Sequence, residues 1–228
     1  MGRAGGPAGA GRRLSRNAAG GQRAAVLLAA GRGERMQASG SPFAGVPKPL
    51  VPLAGRPLCR HAAETLAGAG DTLRLAVVPP GQAGEAVQAA LEGLDYRCVT
   101  NPQPGRGLLS SFQAAAAALP AGLDGAVFAL ADMPLVSLTT HRALREAATQ
   151  AAAAQCVYGG VSAPPLWLPA HLFPALLALP DADNGPRALL RGPDVVRVPR
   201  PVAELLDVDT PQALAQAEAR LPHPHSAR

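Results

Sequence analysis

Ala24-Ala25-Val26-Leu27-Leu28-Ala29-Ala30-Gly31-Arg32-Gly33-Glu34-Arg35-Met36 joins an unbroken apolar run to a glycine turn set among arginines. A short apolar run that stops at glycine is the pattern of a strand buried on both faces. Further runs read as strands at Leu73–Val78, Tyr96–Val99 and Ala126–Ala131, and helical stretches lie between them at Pro57–Ala69, Ala83–Glu92 and Leu108–Leu119. This alternation predicts an α/β fold. The sheet should be mostly parallel and covered by helices on both faces, a Rossmann-like three-layer sandwich whose ligand crevice lies at the carboxyl ends of the strands. Beyond Ala131, a helix capped by Ser137 is predicted, then short strands at Cys156–Tyr158 and Pro165–Leu168. Helices at His171–Leu179 and Gly185–Leu190, a strand at Val195–Val198 and a last helix from Thr210 follow.

Composition narrows the function classes. The 228 residues are 48% hydrophobic and 16% charged, which excludes a disordered or coiled-coil chain. No apolar run approaches the roughly 18–20 residues of a membrane span, so no membrane association is expected. The formal charge of +5 is local: residues 1–23 hold Arg3, Arg12, Arg13, Arg16 and Arg23 and no acid, and without these five the 21 basic residues fall to 16, against 16 acidic ones. Residues 1–22 are therefore predicted to be a disordered basic leader, and 222–228 a disordered tail. Arg12-Arg13 is not read as an export signal, because the apolar stretch after it is short and set apart by a polar segment. With seven aromatic residues in all, base stacking has little to build on, and no nucleic-acid partner is expected. Cys59, Cys98 and Cys156 form no metal-binding pair and no disulfide framework, which fits a cytoplasmic protein.

Glycines at 31 and 33 allow backbone amides to approach an anion, and Arg35 and Lys48 add positive charge to the same place. Leu28, Ala29, Ala30, Gly31, Gly33, Arg35 and Lys48 are thus the candidate cradle for a triphosphate. Lys48, in Lys48-Pro49-Leu50, is the only lysine beside twenty arginines. Its compact ammonium can sit between phosphate oxygens where a planar guanidinium cannot without moving. The segment lacks the Gly-Lys-Ser/Thr ending of a Walker loop and the third glycine of a dinucleotide fingerprint.

Asp132 ends the apolar run Val127–Ala131, at the carboxyl edge of the sheet, where a hard oxygen ligand can hold Mg²⁺ against phosphates. A turn aspartate ahead of Pro134 is the plainer reading. Asp207 and Asp209, in Asp207-Val208-Asp209-Thr210-Pro211, face one side of an extended segment and are the other candidate metal ligands. Asp209 or Thr210 before Pro211 also fits an ordinary helix start, a reading that Asp207 does not share. The glycine-rich loop from Asn101 to Ser111 can offer Asn101, Gly107 and Ser110 to a base or ribose, and it equally fits a proline–glycine turn entering a helix. No histidine lies near an element end facing these loops, so no serine–histidine–acid arrangement is indicated.

Together these segments resemble the sugar-nucleotidyltransferase-like family from about Ala24 to Leu214, and within it the molybdenum-cofactor nucleotidyltransferases, most closely the cytidylyltransferase branch. Leu28 to Met36 with Lys48-Pro49-Leu50 resembles the family's phosphate-binding signature, Leu130-Ala131-Asp132-Met133-Pro134 its metal-binding strand end, and Asn101 to Ser111 its nucleotide loop. Pro164–Leu168, His171-Leu172-Phe173-Pro174 and Asp183 to Leu190 are similar to the branch's pterin-side half, and Asp207 to Pro211 to its closing motif. The resemblance implies one nucleotidyltransferase domain over 23–221, with a nucleotide half at about 23–135 and a substrate half at about 136–221. It further implies Mg²⁺ as cofactor, CTP as donor, molybdopterin as phosphorylated acceptor and a molybdoenzyme as recipient of the product. Arg35, Lys48 and Asp132 would be its catalytic residues. Lys48-Pro49-Leu50 is the form seen more in guanylyl and sugar-phosphate branches, which are therefore the alternative. A non-catalytic chaperone that shields a bound cofactor is the alternative of another class, but it would not need Asp132 and a second carboxylate beside the cradle.

Overall fold

Each apolar run becomes a strand because its alternate side chains feed two separate helical layers. The computed structural model describes residues 22–38, 40–181 and 184–221. In chain order these form β1 (Arg23–Leu28), a 3-10 turn at Lys48–Leu50, a hairpin of β2 (Pro52–Leu53) and β3 (Arg56–Pro57), α1 (Leu58–Ala67), β4 (Leu73–Val78), α2 (Gln82–Ala90) and β5 (Arg97–Thr100). Then come α3 (Leu108–Ala118), β6 (Gly125–Leu130), α4 (Leu138–Ala147), β7 (Ala154–Tyr158), β8 (Val161–Pro169), α5 (Phe173–Ala178), β9 (Val196–Arg200) and α6 (Pro211–Arg220). The leader and tail expected at 1–22 and 222–228 lie outside the described residues. The exception is Gln22, whose carbonyl accepts the Asp124 amide at 2.9 Å.

Seven strands form one sheet in the order β5-β4-β1-β6-β8-β7-β9. Every pairing is parallel except the two made by β8, which lies reversed between β6 and β7. Ala25 and Leu27 of β1, with Ala29 just beyond it, pack with Cys59, Ala62 and Leu66 of α1, Val87 of α2 and Leu144 of α4. Ala24, Val26 and Leu28 pack on the opposite face with Leu109, Phe112 and Ala115 of α3 and Leu176 of α5. This is the mostly parallel three-layer fold that the alternation predicts.

The connections decide where a ligand can sit. From β1 the chain moves one way to β4 and β5, then crosses by α3 to β6 on the other flank of β1. The strand order thus reverses between β1 and β6, and open α/β sheets form their ligand crevice beyond the carboxyl ends of the strands at such a reversal.

The structure departs from the expected elements in three places. The hairpin β2–β3 is additional, with Ala54 at φ 49° and Gly55 at φ 77° forming its turn. The helix expected at Gly185–Leu190 is a 3-10 turn over Arg187–Leu190, since Gly185 takes a φ of 65° and Pro186 follows it. The helix expected at His171–Leu179 is divided into a 3-10 turn at Ala170–Leu172 and α5, which opens with Pro174 in its first turn.

Candidate active site

The site is assembled by one small apolar cluster. Met36, after the glycine turn, is buried with Val51 and Leu53 beyond the lysine turn, Leu58 of α1, Val208 of the closing segment, and Leu214 and Ala217 of α6. Burying these side chains together gathers four distant segments at the carboxyl edge of the sheet. Backbone bonds complete the frame. Ala29 donates to the Val77 carbonyl at 2.8 Å, Ala131 to that of Leu28 at 3.0 Å, and Val208 to that of Asp132 at 2.9 Å.

The result is an open cleft of about 530 Å³ at the reversal between β1 and β6. Leu28, Ala29, Ala30, Gly31, Gly33, Arg35, Lys48, Gly107, Asp132, Asp207 and Asp209 all line it, so eleven of the thirteen residues singled out in the sequence meet here. Asn101 and Ser110 do not line the cleft. Asn101 is buried and donates through Nδ2 to Ser110 Oγ at 2.8 Å and Ser111 Oγ at 3.1 Å, while its Oδ1 accepts from the Gln103 amide at 3.0 Å. These two residues brace the loop from behind. Ser111, one position further along α3, reaches the cleft instead, as do Arg32, Glu34 and Pro104. Asp183, part of the pterin-side resemblance, lies outside the described residues.

The two glycines differ in kind. Gly33 has φ 64°, and a Cβ there would fall 2.3 Å from Lys48 Cβ, so its bareness makes room for the lysine stem. Gly31 has nothing within 4 Å of where a Cβ would stand and no left-handed φ. Its bareness serves space in the cleft, not the fold. Gly31→Ala should therefore leave the melting temperature unchanged and raise the KM for nucleotide, whereas Gly33→Ala should cost about 1–3 kcal/mol of stability and lower kcat as Lys48 is displaced. Thermal melts beside steady-state kinetics separate the two.

Lys48 is the electrostatic centre. Its side chain is 7% exposed, and its Nζ donates to Asp132 Oδ2 and to Asp209 Oδ1, both carboxylates being about a quarter exposed. Burial alone would lower the lysine's pKa, but the charge and hydrogen bonds of Asp132 and Asp209 outweigh it and hold the ammonium above its ordinary range. Arg35 Nη2 donates to Asp209 Oδ2 at 2.5 Å. The two side-chain cations expected to grip one phosphate thus both rest on one carboxylate. Asp209 is free for this because the cap of α6 is Thr210, whose hydroxyl accepts from the Ala213 amide at 3.1 Å.

Asp207 lines the same cleft and forms no ion pair among the described residues. Burial, then the negative charges of Asp132 and Asp209, push its pKa up to about 6. Because this lies above its ordinary 3.8, the folded chain binds more protons than the unfolded one between those values, and stability falls as pH rises through that window. Below pH 6 Asp207 becomes neutral and loses its attraction for a cation. Without divalent metal, Asp207→Asn should therefore melt higher than the parent at pH 7.5, and with metal it should lose activity.

Among the described residues no three His, Cys, Asp or Glu side chains are arranged to hold a metal ion, and Lys48 engages two of the three cleft carboxylates. The donor chemistry nevertheless suits a hard divalent cation. Asp132, Asp207 and Asp209 are all oxygen donors, and Asp132 Oδ1 is buried with no hydrogen-bond partner. No helix among the described residues is long and apolar enough to cross a membrane.

Comparison with known proteins bears on this geometry. Residues 25–199 match the family model described as MobA-like NTP transferase domain. The chain is 32% identical over 173 residues to nicotine blue oxidoreductase of Paenarthrobacter nicotinovorans, covering 73% of this chain and 80% of that protein. It is 36% identical over 123 residues to the bifunctional protein GlmU of Agrobacterium fabrum, 54% of this chain and 26% of that protein, so the chain spans about a quarter of that relative's length. Among solved structures, Rv0371c of Mycobacterium tuberculosis H37Rv superimposes with a TM-score of 0.72 at 26% identity, over 87% of this chain and 98% of that one. Another structure of Rv0371c is a complex with manganese; at 24% identity and a TM-score of 0.66 it shares the fold. With more than half of its length matched, and with the glycine turn, Lys48 and Asp132 converging in one cleft, the chain belongs to the MobA-like NTP transferase domain family.

Proposed function

We propose that this protein transfers CMP from CTP to the phosphate of molybdopterin and releases pyrophosphate, for delivery of the product to a molybdoenzyme. The observation that carries the transfer reading is the meeting, at the β1/β6 reversal, of a single buried lysine, three carboxylates and a glycine turn open to the cleft. Fold alone does not fix a reaction, as a relative bearing an oxidoreductase name illustrates, so the reading rests on the site.

In the transfer, an oxygen of the acceptor phosphate attacks the α-phosphorus of the triphosphate, and the bond from that phosphorus to the bridging oxygen breaks. Asp132, Asp207 and Asp209 would hold Mg²⁺, which when bound neutralises phosphate charge and aligns the reacting groups. Lys48, Arg35 and the amides of Gly31 to Gly33 stabilise the negative charge that gathers on departing pyrophosphate. Leu28, Ala29 and Ala30 line the cleft, and Gly107 ends the nucleotide loop as the N-cap of α3. Three cysteines, all free thiols, agree with a cytoplasmic setting.

CTP is favoured because Ala29-Ala30-Gly31 carries an alanine where guanylyltransferases of the resembled family tend to carry a second glycine. By that resemblance, the extra methyl in this wall of the cleft would narrow the pocket toward a pyrimidine. One methyl is worth about 1–3 kcal/mol, so a preference of roughly 10- to 100-fold for CTP over GTP is expected. The second reading is a sugar-phosphate nucleotidyltransferase, favoured by Lys48-Pro49-Leu50 and the partial similarity to GlmU. Purified protein with Mg²⁺ and molybdopterin, given CTP and GTP in competition and followed by pyrophosphate release, tests the assignment. Faster turnover of GTP, or of UTP with a sugar phosphate, overturns the cytidylyl assignment and leaves nucleotidyl transfer standing.

A further inference from the structure

We infer that Lys48 is the built-in counter-cation of the carboxylates at this site, and that it competes with the divalent cation for Asp132 and Asp209 until a phosphate group takes the ammonium over. This rests on the reading of those carboxylates as metal ligands.

The geometry has three parts. First, Lys48 Nζ contacts Asp132 Oδ2 and Asp209 Oδ1 and Arg35 holds Asp209 Oδ2, so Asp132 Oδ1 is the open oxygen of the pair and a divalent cation would gain Asp209 by displacing one of these donors. A divalent cation and an ammonium held on the same two carboxylates repel one another. Secondly, the lysine is nearly buried, so little water is available to replace it as partner, and it leaves only if something anionic receives it. Thirdly, the lysine leaves the site incompletely neutralised. Asp132 Oδ1 has no hydrogen-bond partner and Asp207 no ion pair among the described residues, while Arg35 is already engaged on Asp209.

Three carboxylates face two monovalent cations, Lys48 and Arg35, a balance one positive charge short. Exchanging the ammonium for a divalent ion closes it, and the displaced Lys48 then matches a phosphate oxygen. The stem permits this exchange. Its base packs against the bare backbone of Gly33, and a lysine's four-carbon chain can redirect its ammonium while that base stays packed. Metal and polyphosphate are therefore coupled ligands: each is weak alone and strengthens the other by the same factor.

The test uses Mn²⁺ alone as probe, followed by electron paramagnetic resonance on the full chain. Lys48→Met should bind Mn²⁺ at least about tenfold tighter than the parent in the absence of nucleotide, and adding inorganic pyrophosphate should tighten binding to the parent more than to the variant. Because Lys48 is the only lysine, ¹³C-lysine labelling gives one side-chain signal, and this keeps the question answerable in the parent if Lys48→Met fails to fold. Saturating Mg²⁺ should shift that signal in the parent and leave it in place in Asp132→Asn. Equal or weaker Mn²⁺ binding by Lys48→Met, or a lysine signal unmoved when metal is bound, overturns the competition alone. Failure of every form to bind Mn²⁺, with or without pyrophosphate, overturns the metal reading as well.

Discussion

Asp132→Asn should give a folded protein whose turnover is lower by at least about 10²- to 10³-fold, the scale on which removal of one charge-stabilising group is felt. The fold should persist because Asp132 is held by its backbone. Its carbonyl accepts from Val208 at 2.9 Å, and the turn that carries it follows directly from buried β6. Asparagine keeps the shape and one oxygen but removes the anion. Lys48 then has Asp209 alone, and the oxygen left without a partner in the parent, Oδ1, is no longer an anionic donor for a metal. Pyrophosphate release measured beside a thermal melt checks both halves. A variant within tenfold of the parent would show that Asp132 is only a turn residue.

Lys48→Ala should lower turnover by roughly 10²-fold or more, and Lys48→Arg should restore only part of it. The structure gives the reason for the incomplete rescue. The lysine lies 7% exposed with its base against the bare backbone of Gly33, and its Nζ lies against two carboxylates at once. A guanidinium is wider and its donors diverge in a plane, so it must shift to meet either partner. In Lys48→Ala the Asp132 charge also loses its counter-ion and Asp209 keeps Arg35 alone, so its melting temperature should fall, and by less in the arginine variant. Full activity in Lys48→Arg would remove the lysine from the account.

The parts of this molecule that were legible in its sequence are those written as continuous patterns. The run Ala24–Ala30 reads as a doubly buried strand because its first five residues are one, and Lys48 stands out because every other basic side chain apart from histidine is an arginine. Asp132 was placed by the strand that precedes it. The hairpin at Pro52–Pro57 left no trace, since two-residue strands have no period and Ala54-Gly55 is a weak turn signal. Asn101 and Ser110 were assigned to the nucleotide because polar residues in a glycine-rich loop suggest a ligand. The structure turns both inward to bond each other, and the next residue on the helix, Ser111, faces the cleft. The contact between Lys48 and Asp209 spans 161 positions, and nothing local announces it. The packing of Met36, Val51 and Val208 in one cluster, with the backbone bond from Val208 to Asp132, brings the pair together.

The central claim is that this cleft moves a nucleoside monophosphate from a triphosphate to a phosphorylated acceptor. The most direct measurement is the fate of label from CTP carrying ³²P at the α or the γ position, incubated with the protein, Mg²⁺ and molybdopterin. The α label should pass to the acceptor and the γ label should leave as pyrophosphate, and both should cease in Asp132→Asn. Release of the γ label as inorganic phosphate, or a changed acceptor that carries no α label, would contradict the account.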